Sequence, residues 1–218
     1  MNIVAINGSP RKKWNTATLL DHALEGAKSK GAGVELVHLK DLQYKGCISC
    51  FECKKIGGKS YGHCAVKDEL TPVLERAGEA DALILGSPIY FGAETGAMRS
   101  CVERLLFPYA TYTPGYASIF PRKIPTAFIY TMNVSEEALP TYRYEVFMDR
   151  MQATMARIFG ACELLLSTDT YQFDDYSKYL STCWDAAAKA KRREEVFPLD
   201  CAKAYALGAR LASTAGTA

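Results

Sequence analysis

Three stretches of this 218-residue chain concentrate side chains able to do chemistry. In the first, NGSPRKKWNTA (7–17), an apolar run stops at Asn7. Gly8, Ser9, Arg11, Asn15 and Thr16 then follow before helical periodicity begins. Gly8 permits close backbone approach, Arg11 can pair bidentately with an anion, and a helix opening near Asn15 presents free N–H groups and the positive end of its dipole. The plainer alternative is an ordinary turn capped by Asn or Thr. Convergence of Ser, Arg, Asn and Thr on one turn favours a phosphate. A monoester fits better than a pyrophosphate, because Gly8 lacks the partner glycines of a G-x-G-x-x-G loop.

The second stretch is GSPIYFGAETGAMRS (86–100). Ser87 and Pro88 are expected to end a buried strand, leaving Ile89, Tyr90 and Phe91 at a loop tip beside Gly92. Three such side chains need a cover, either a partner surface or a flat aromatic ligand. The alternative is a loop tucked under the Tyr-rich segment 108–120. A phosphate at one loop and a planar ring at another describe a mononucleotide-like ligand such as FMN.

The third stretch, CISCFECKKIGGKSYGHC, spaces Cys47, Cys50 and Cys53 as C-x2-C-x2-C and adds Cys64 after ten intervening residues. Three thiolates at that spacing can meet one face of a [4Fe–4S] cubane, with a remote fourth completing it. Reduced thiols or a thiol–disulfide pair are the competing reading, and zinc, which prefers two separate knuckles, ranks below both. Gly57, Gly58 and Gly62 can absorb the long last gap. GGKS (57–60) mimics the tail of a nucleotide P-loop, but the leading glycine would fall on Cys53. The turn after the first strand lacks the cysteine of a phosphatase loop. The remaining cysteines, 101, 162, 183 and 201, read as small buried hydrophobes. His63 reads as an exposed loop residue, and His22 and His38 are assigned no role.

Strands are predicted at 2–6, 34–39, 82–87, 124–131 and 162–168. Helices are predicted at 15–30, 68–79, 94–107, 135–159 (with a break near Pro140), 179–193 and 199–212. Alternating strands and helices imply a parallel sheet covered on both faces, and its ligands sit beyond the carboxyl ends of the strands. Residues 108–123 form a Pro-, Tyr- and Gly-rich loop suited to a lid or an oligomer contact. The run KAKRREE (189–195) reads as a solvated helix end, and 213–218 as a frayed terminus.

Composition sets the remaining bounds. Hydrophobic residues make up 49% of the chain and the formal net charge is +2. One domain over 1–218 can therefore bury a sizeable core, and nothing in the charge favours nucleic acid or an anionic membrane as a partner. The expected location is the cytoplasm, where a disulfide framework would be unusual.

NGSPRKKWNT together with GSPIYFG resembles the flavodoxin-like NAD(P)H-dependent FMN reductases, and the cysteine segment is similar to that of their iron–sulfur flavoprotein branch. The resemblance implies a three-layer α/β/α flavodoxin-like fold with a five-stranded parallel sheet in order 2-1-3-4-5. It carries a Cys-rich insertion at 45–66 and C-terminal helices from about 178. Ser9, Arg11, Asn15 and Thr16, with Ala17 beside them, would hold the FMN phosphate. Pro88, Ile89, Tyr90, Phe91 and Gly92 would cradle the isoalloxazine ring, and Thr131, Met132 and Asn133 would form a third flavin loop. Cys47, Cys50, Cys53 and Cys64 would ligate the cluster, on the flavin side of the sheet. The implied activity is reduction of a flavin, quinone or small aromatic acceptor by NAD(P)H in a homodimer. The alternative is a ferredoxin-linked electron carrier with FMN and [4Fe–4S].

Overall fold

A computed structural model describes residues 1–215. Five parallel strands form the central sheet: β1 (Asn2–Asn7), β2 (Gly33–His38), β3 (Ala82–Tyr90), β5 (Ile124–Thr131) and β6 (Gly160–Ser167). Their order is β2-β1-β3-β5-β6, the predicted 2-1-3-4-5 when only parallel strands are counted. A two-residue β4 (Ala93–Glu94) pairs antiparallel with the end of β3.

The apolar strands split their side chains between two faces, as the twofold strand period requires. Val4, Ile6, Leu83, Leu85, Phe128 and Tyr130 face one helix layer. Ile3, Ala5, Ile84, Ala127 and Ile129 face the other. The first layer contains α2 (Thr71–Glu79), α3 (Gly96–Leu106) and α5 (Tyr144–Phe159). The second contains α1 (Asn15–Lys28) and α7 (Phe197–Ala215). Two further helices, α4 (Leu139–Tyr142) and α6 (Ala186–Glu195), precede α5 and α7 respectively. None of the helices among the described residues is long and apolar enough to cross a membrane.

Several local expectations change. β3 does not stop at Ser87 but runs to Tyr90, then returns through Phe91 (φ 50°) and Gly92 (φ 77°). Consecutive positive φ values are the signature of a tight hairpin turn. The break before α5 falls at Arg143, which is left-handed, while Pro140 sits harmlessly in the first turn of α4. Residues 179–185 lie outside α6, whose start is capped by Asp185 accepting from the N–H groups of Ala187 and Ala188. Cys101 and Cys201 are buried, whereas Cys183 is exposed. The expected frayed terminus at 213–218 is helical over 213–215; residues 216–218 lie outside the described residues.

Candidate functional site

Hydrogen bonds between backbone and short side chains join the turn after β1 to the end of β3. Gly8 N–H donates to Gly86 C=O at 2.8 Å, and Thr95 Oγ1 donates to Gly8 C=O at 2.8 Å. Thr95 also caps α3 by accepting from Met98 N–H, and its own N–H donates to Ser87 Oγ at 3.1 Å. A Cβ on Gly8 would lie 2.6 Å from Met98 Cβ, so only glycine lets α3 and this turn approach so closely. Asn7 Oδ1 accepts from Ser9 N–H at 2.9 Å, and Asn7 Nδ2 meets His38 Nδ1 at 2.9 Å. Burial, with Lys12 nearby, pushes His38 below the usual histidine range. A neutral ring accepting at Nδ1 orients the Asn7 amide. His38 therefore supports the turn, a role its position in the sequence did not suggest.

Ser9, Arg11, Asn15 and Thr16 share one cleft of about 570 Å³ with Pro88, Ile89 and Tyr90, and with Thr131, Met132 and Asn133. Three loops distant in sequence thus meet at the carboxyl edge of the sheet. Ser9, Asn15 and Thr16 are buried, and Thr16 Oγ1 lies 2.7 Å from Thr131 Oγ1. Ala17, Phe91 and Gly92 do not line the cleft. Ala17 is buried within α1, and Phe91 is fully exposed at the hairpin tip.

The cleft has a fourth wall that sequence reasoning missed: Thr170, Tyr171 and Gln172, after β6. Trp14 Nε1 and Asn15 Nδ2 both donate to Tyr171 C=O, at 3.1 and 2.9 Å, and Arg11 Nη1 donates to Gln172 C=O at 2.6 Å. The rule that ligands gather beyond the carboxyl ends of parallel strands applies equally to the end of the last strand, so this wall was open to prediction.

The charged run 189–195 is not simply solvated. Lys189 is buried and bonds Asn133 and Asp169, tying the loops after β5 and β6 together. Arg193 Nη1 donates to Asn15 Oδ1 at 2.7 Å, and Arg192 Nη2 meets Asp200 Oδ2 at 2.6 Å. Lys189 is buried, and Arg192 and Arg193 are half-buried, because each has a polar partner there.

A phosphate-bearing ligand suits this cleft. No carboxylate lines it among the described residues, and Arg11 supplies a cation. No side chain caps α1, and its first turn holds no acidic residue, which leaves the helix end free for an anion. Asn133 Nδ2 is buried without a partner, a donor awaiting an acceptor.

The cysteine segment docks elsewhere. It leaves β2 at the carboxyl edge, but Cys47, Cys50, Cys53 and Cys64 line a narrow cleft together with Glu103, Arg104 and Phe107. Those residues belong to the last turns of α3 and the turn after it, about 12 Å along the helix from its start. The two clefts share no lining residue. The four form no disulfide among the described residues. Ser49 and Phe51 are left-handed. Lys54 donates to the carbonyls of Phe107 and Ala110 and lies 4.3 Å from the Phe107 ring.

The long gap before Cys64 closes on itself. Gly62, at φ 76°, donates its N–H to Cys53 C=O at 3.0 Å, so residues 54–61 loop out and Cys64 returns to its partners. No group among the described residues could hold a single metal ion.

The lid reading of residues 108–123 also changes. None of them lines the 570 Å³ cleft. Tyr109 and Phe120 instead pack edge-on, with centroids 4.9 Å apart, and both contact Phe159.

Residues 1–120 match the NADPH-dependent FMN reductase family. The chain belongs to that family. It is 42% identical over 104 residues to an iron-sulfur flavoprotein of Archaeoglobus fulgidus, a match covering 48% of each chain. The chain thus spans about half the length of that curated relative. Across 97% of its length it resembles the NAD(P)H:quinone oxidoreductase from Methanothermobacter marburgensis (98% of that chain, TM-score 0.69, 15% identity). It likewise resembles an FMN-dependent NADH-azoreductase from Bacillus anthracis solved with FMN (97% and 100% covered, TM-score 0.67, 13% identity). At those identities the likeness establishes the flavodoxin-like fold.

Proposed function

We propose that the chain is an FMN-binding oxidoreductase that takes a hydride from NADH or NADPH and passes electrons to a quinone, a flavin or a small aromatic acceptor. The observation that carries this reading is the single carboxyl-edge cleft. It joins the cationic, hydroxyl-lined α1 turn to the apolar wall of Pro88, Ile89 and Tyr90 and to the unpartnered Asn133 amide. Ser9, Arg11, Asn15 and Thr16 would hold the phosphate, and the β3 hairpin would cover the ring. Asn133 would donate to a polar edge of the ring. When bound, the flavin supplies the redox chemistry; the residues around it anchor, orient and exclude water. Phe91, fully exposed in a left-handed conformation, supports a second subunit covering the hairpin tip. Anaerobic NADH or NADPH should bleach the visible absorbance of the FMN-loaded protein. Protein that takes up no FMN would refute the reading.

The four cysteines around one cleft favour a second reading, in which [4Fe–4S] accompanies the flavin and the chain serves as an electron carrier without a pyridine-nucleotide site. Iron and sulfide content after anaerobic purification tests the cluster. Flavin that remains oxidised under NADH and NADPH, but bleaches with a reduced ferredoxin, would select the carrier over the reductase.

A further inference from the structure

Arg104 carries a consequence for the cysteine cleft. Its side chain is wholly inaccessible to solvent, and a guanidinium is held in such a place only by satisfied donors and a compensating charge. Nε donates to Cys64 Sγ at 3.2 Å. Nη1 donates to Lys45 C=O at 3.0 Å and Asp68 Oδ2 at 2.6 Å, and Nη2 donates to Val66 C=O at 3.0 Å. One rigid fork therefore holds the chain just before Cys47, at Cys64 and just after it, fastening both flanks of the cysteine segment to α3. Cys64, Arg104 and Pro108 also form the wall between the cysteine cleft and a larger, more polar cleft of about 850 Å³.

Resting on the cluster reading above, we propose that Arg104 is a positioning residue that presents Cys64 as the fourth ligand and biases the cluster toward its reduced form. A donor aimed at a ligating sulfur, and a buried positive charge beside it, stabilise the extra electron of the reduced cluster. Asp68 offsets part of that charge, so the two halves of the ion pair act on the cluster with opposite sign. Lysine could supply the charge but not the planar fork.

The test uses full-length protein, purified anaerobically and reconstituted with iron and sulfide, as wild type, Arg104→Gln and Asp68→Asn. Both substitutions break the same ion pair, so loosening of the loop would move both variants in the same direction, further in Arg104→Gln. Charge would not. Arg104→Gln should lower the cluster's midpoint potential by about tenfold in the reduction equilibrium, ~59 mV for one electron, and Asp68→Asn should raise it. If Arg104→Gln binds flavin yet assembles no cluster, the positioning role is supported and Asp68→Asn alone decides the charge. Shifts in the same direction, or none, would overturn the proposal while leaving the cluster in place. Wild-type protein that takes up no iron and sulfide would overturn the cluster reading, and this inference with it.

Discussion

Arg11→Ala separates the two ends of the proposed ligand. Arg11 is exposed, and its contacts are one bond to Gln172 C=O and a guanidinium lying 5.2 Å from the Trp14 ring centroid. Its removal should therefore change folding stability by less than about 0.5 kcal/mol, as for most surface positions. Hydrogen bonds to charged groups contribute roughly 1.5–3 kcal/mol. An exposed donor belongs at the low end, and about 1.4 kcal/mol is a factor of ten in affinity. Arg11→Ala should thus weaken FMN binding about tenfold. Riboflavin, which has the same ring but no phosphate, should bind within about twofold of wild type. Quenching of flavin fluorescence on titration with apoprotein measures both. In 1 M salt, where the screening length falls to about 3 Å, the difference between the ligands should narrow. Equal weakening of both flavins, or unaltered FMN binding, would refute a phosphate at the α1 turn.

Two further expectations concern how the site is built. Gly8→Ala drives a methyl into Met98 Cβ at 2.6 Å, so urea denaturation should show a loss of about 1–3 kcal/mol together with weaker binding of both flavins. Gly96→Ala, which meets open space at the start of α3, should stay within about 0.5 kcal/mol of wild type. Glu94 is buried in the short strand that returns from the β3 hairpin, with Oε1 accepting from Tyr130 O–H at 3.3 Å and Oε2 making no hydrogen bond but lying 4.0 Å from Arg99 Nη1. Burial raises its pKa above the usual carboxylate range, so the folded chain keeps this proton after the unfolded chain has released it. Its contribution to stability is complete below the unfolded value of about 4.3 and declines as pH rises through the folded value. Glu94→Gln mimics the protonated form. Thermal denaturation should find it close to wild type at pH 4 and more stable than wild type at pH 8; a stability difference independent of pH would refute the assignment.

Much of this was readable from local patterns. A short continuous apolar run such as ALIL, ended by Gly86, reads as a strand buried on both faces, and the small, hydroxylated and cationic turn at 7–16 reads as an anion site in preference to a plain capped turn. Strand order followed from the resemblance and from the rule that parallel strands need crossovers. The hairpin at Phe91–Gly92 was less accessible, because an aromatic residue rarely adopts a positive φ and no local signal announces it.

By itself, then, the sequence determined which residues could bind an anion, cover a ring or offer thiolates, because those properties reside in side-chain type and short-range spacing. Tertiary structure decided which of them meet. It brought Tyr171 and Gln172 over the α1 turn, buried Lys189 and half-buried Arg193 to brace the loops. It also seated the cysteine segment against the last turns of α3, where Arg104 holds its flanks. Such outcomes depend on contacts between residues far apart in the chain, such as Arg11 with Gln172 or Arg104 with Cys64, and no local pattern encodes them.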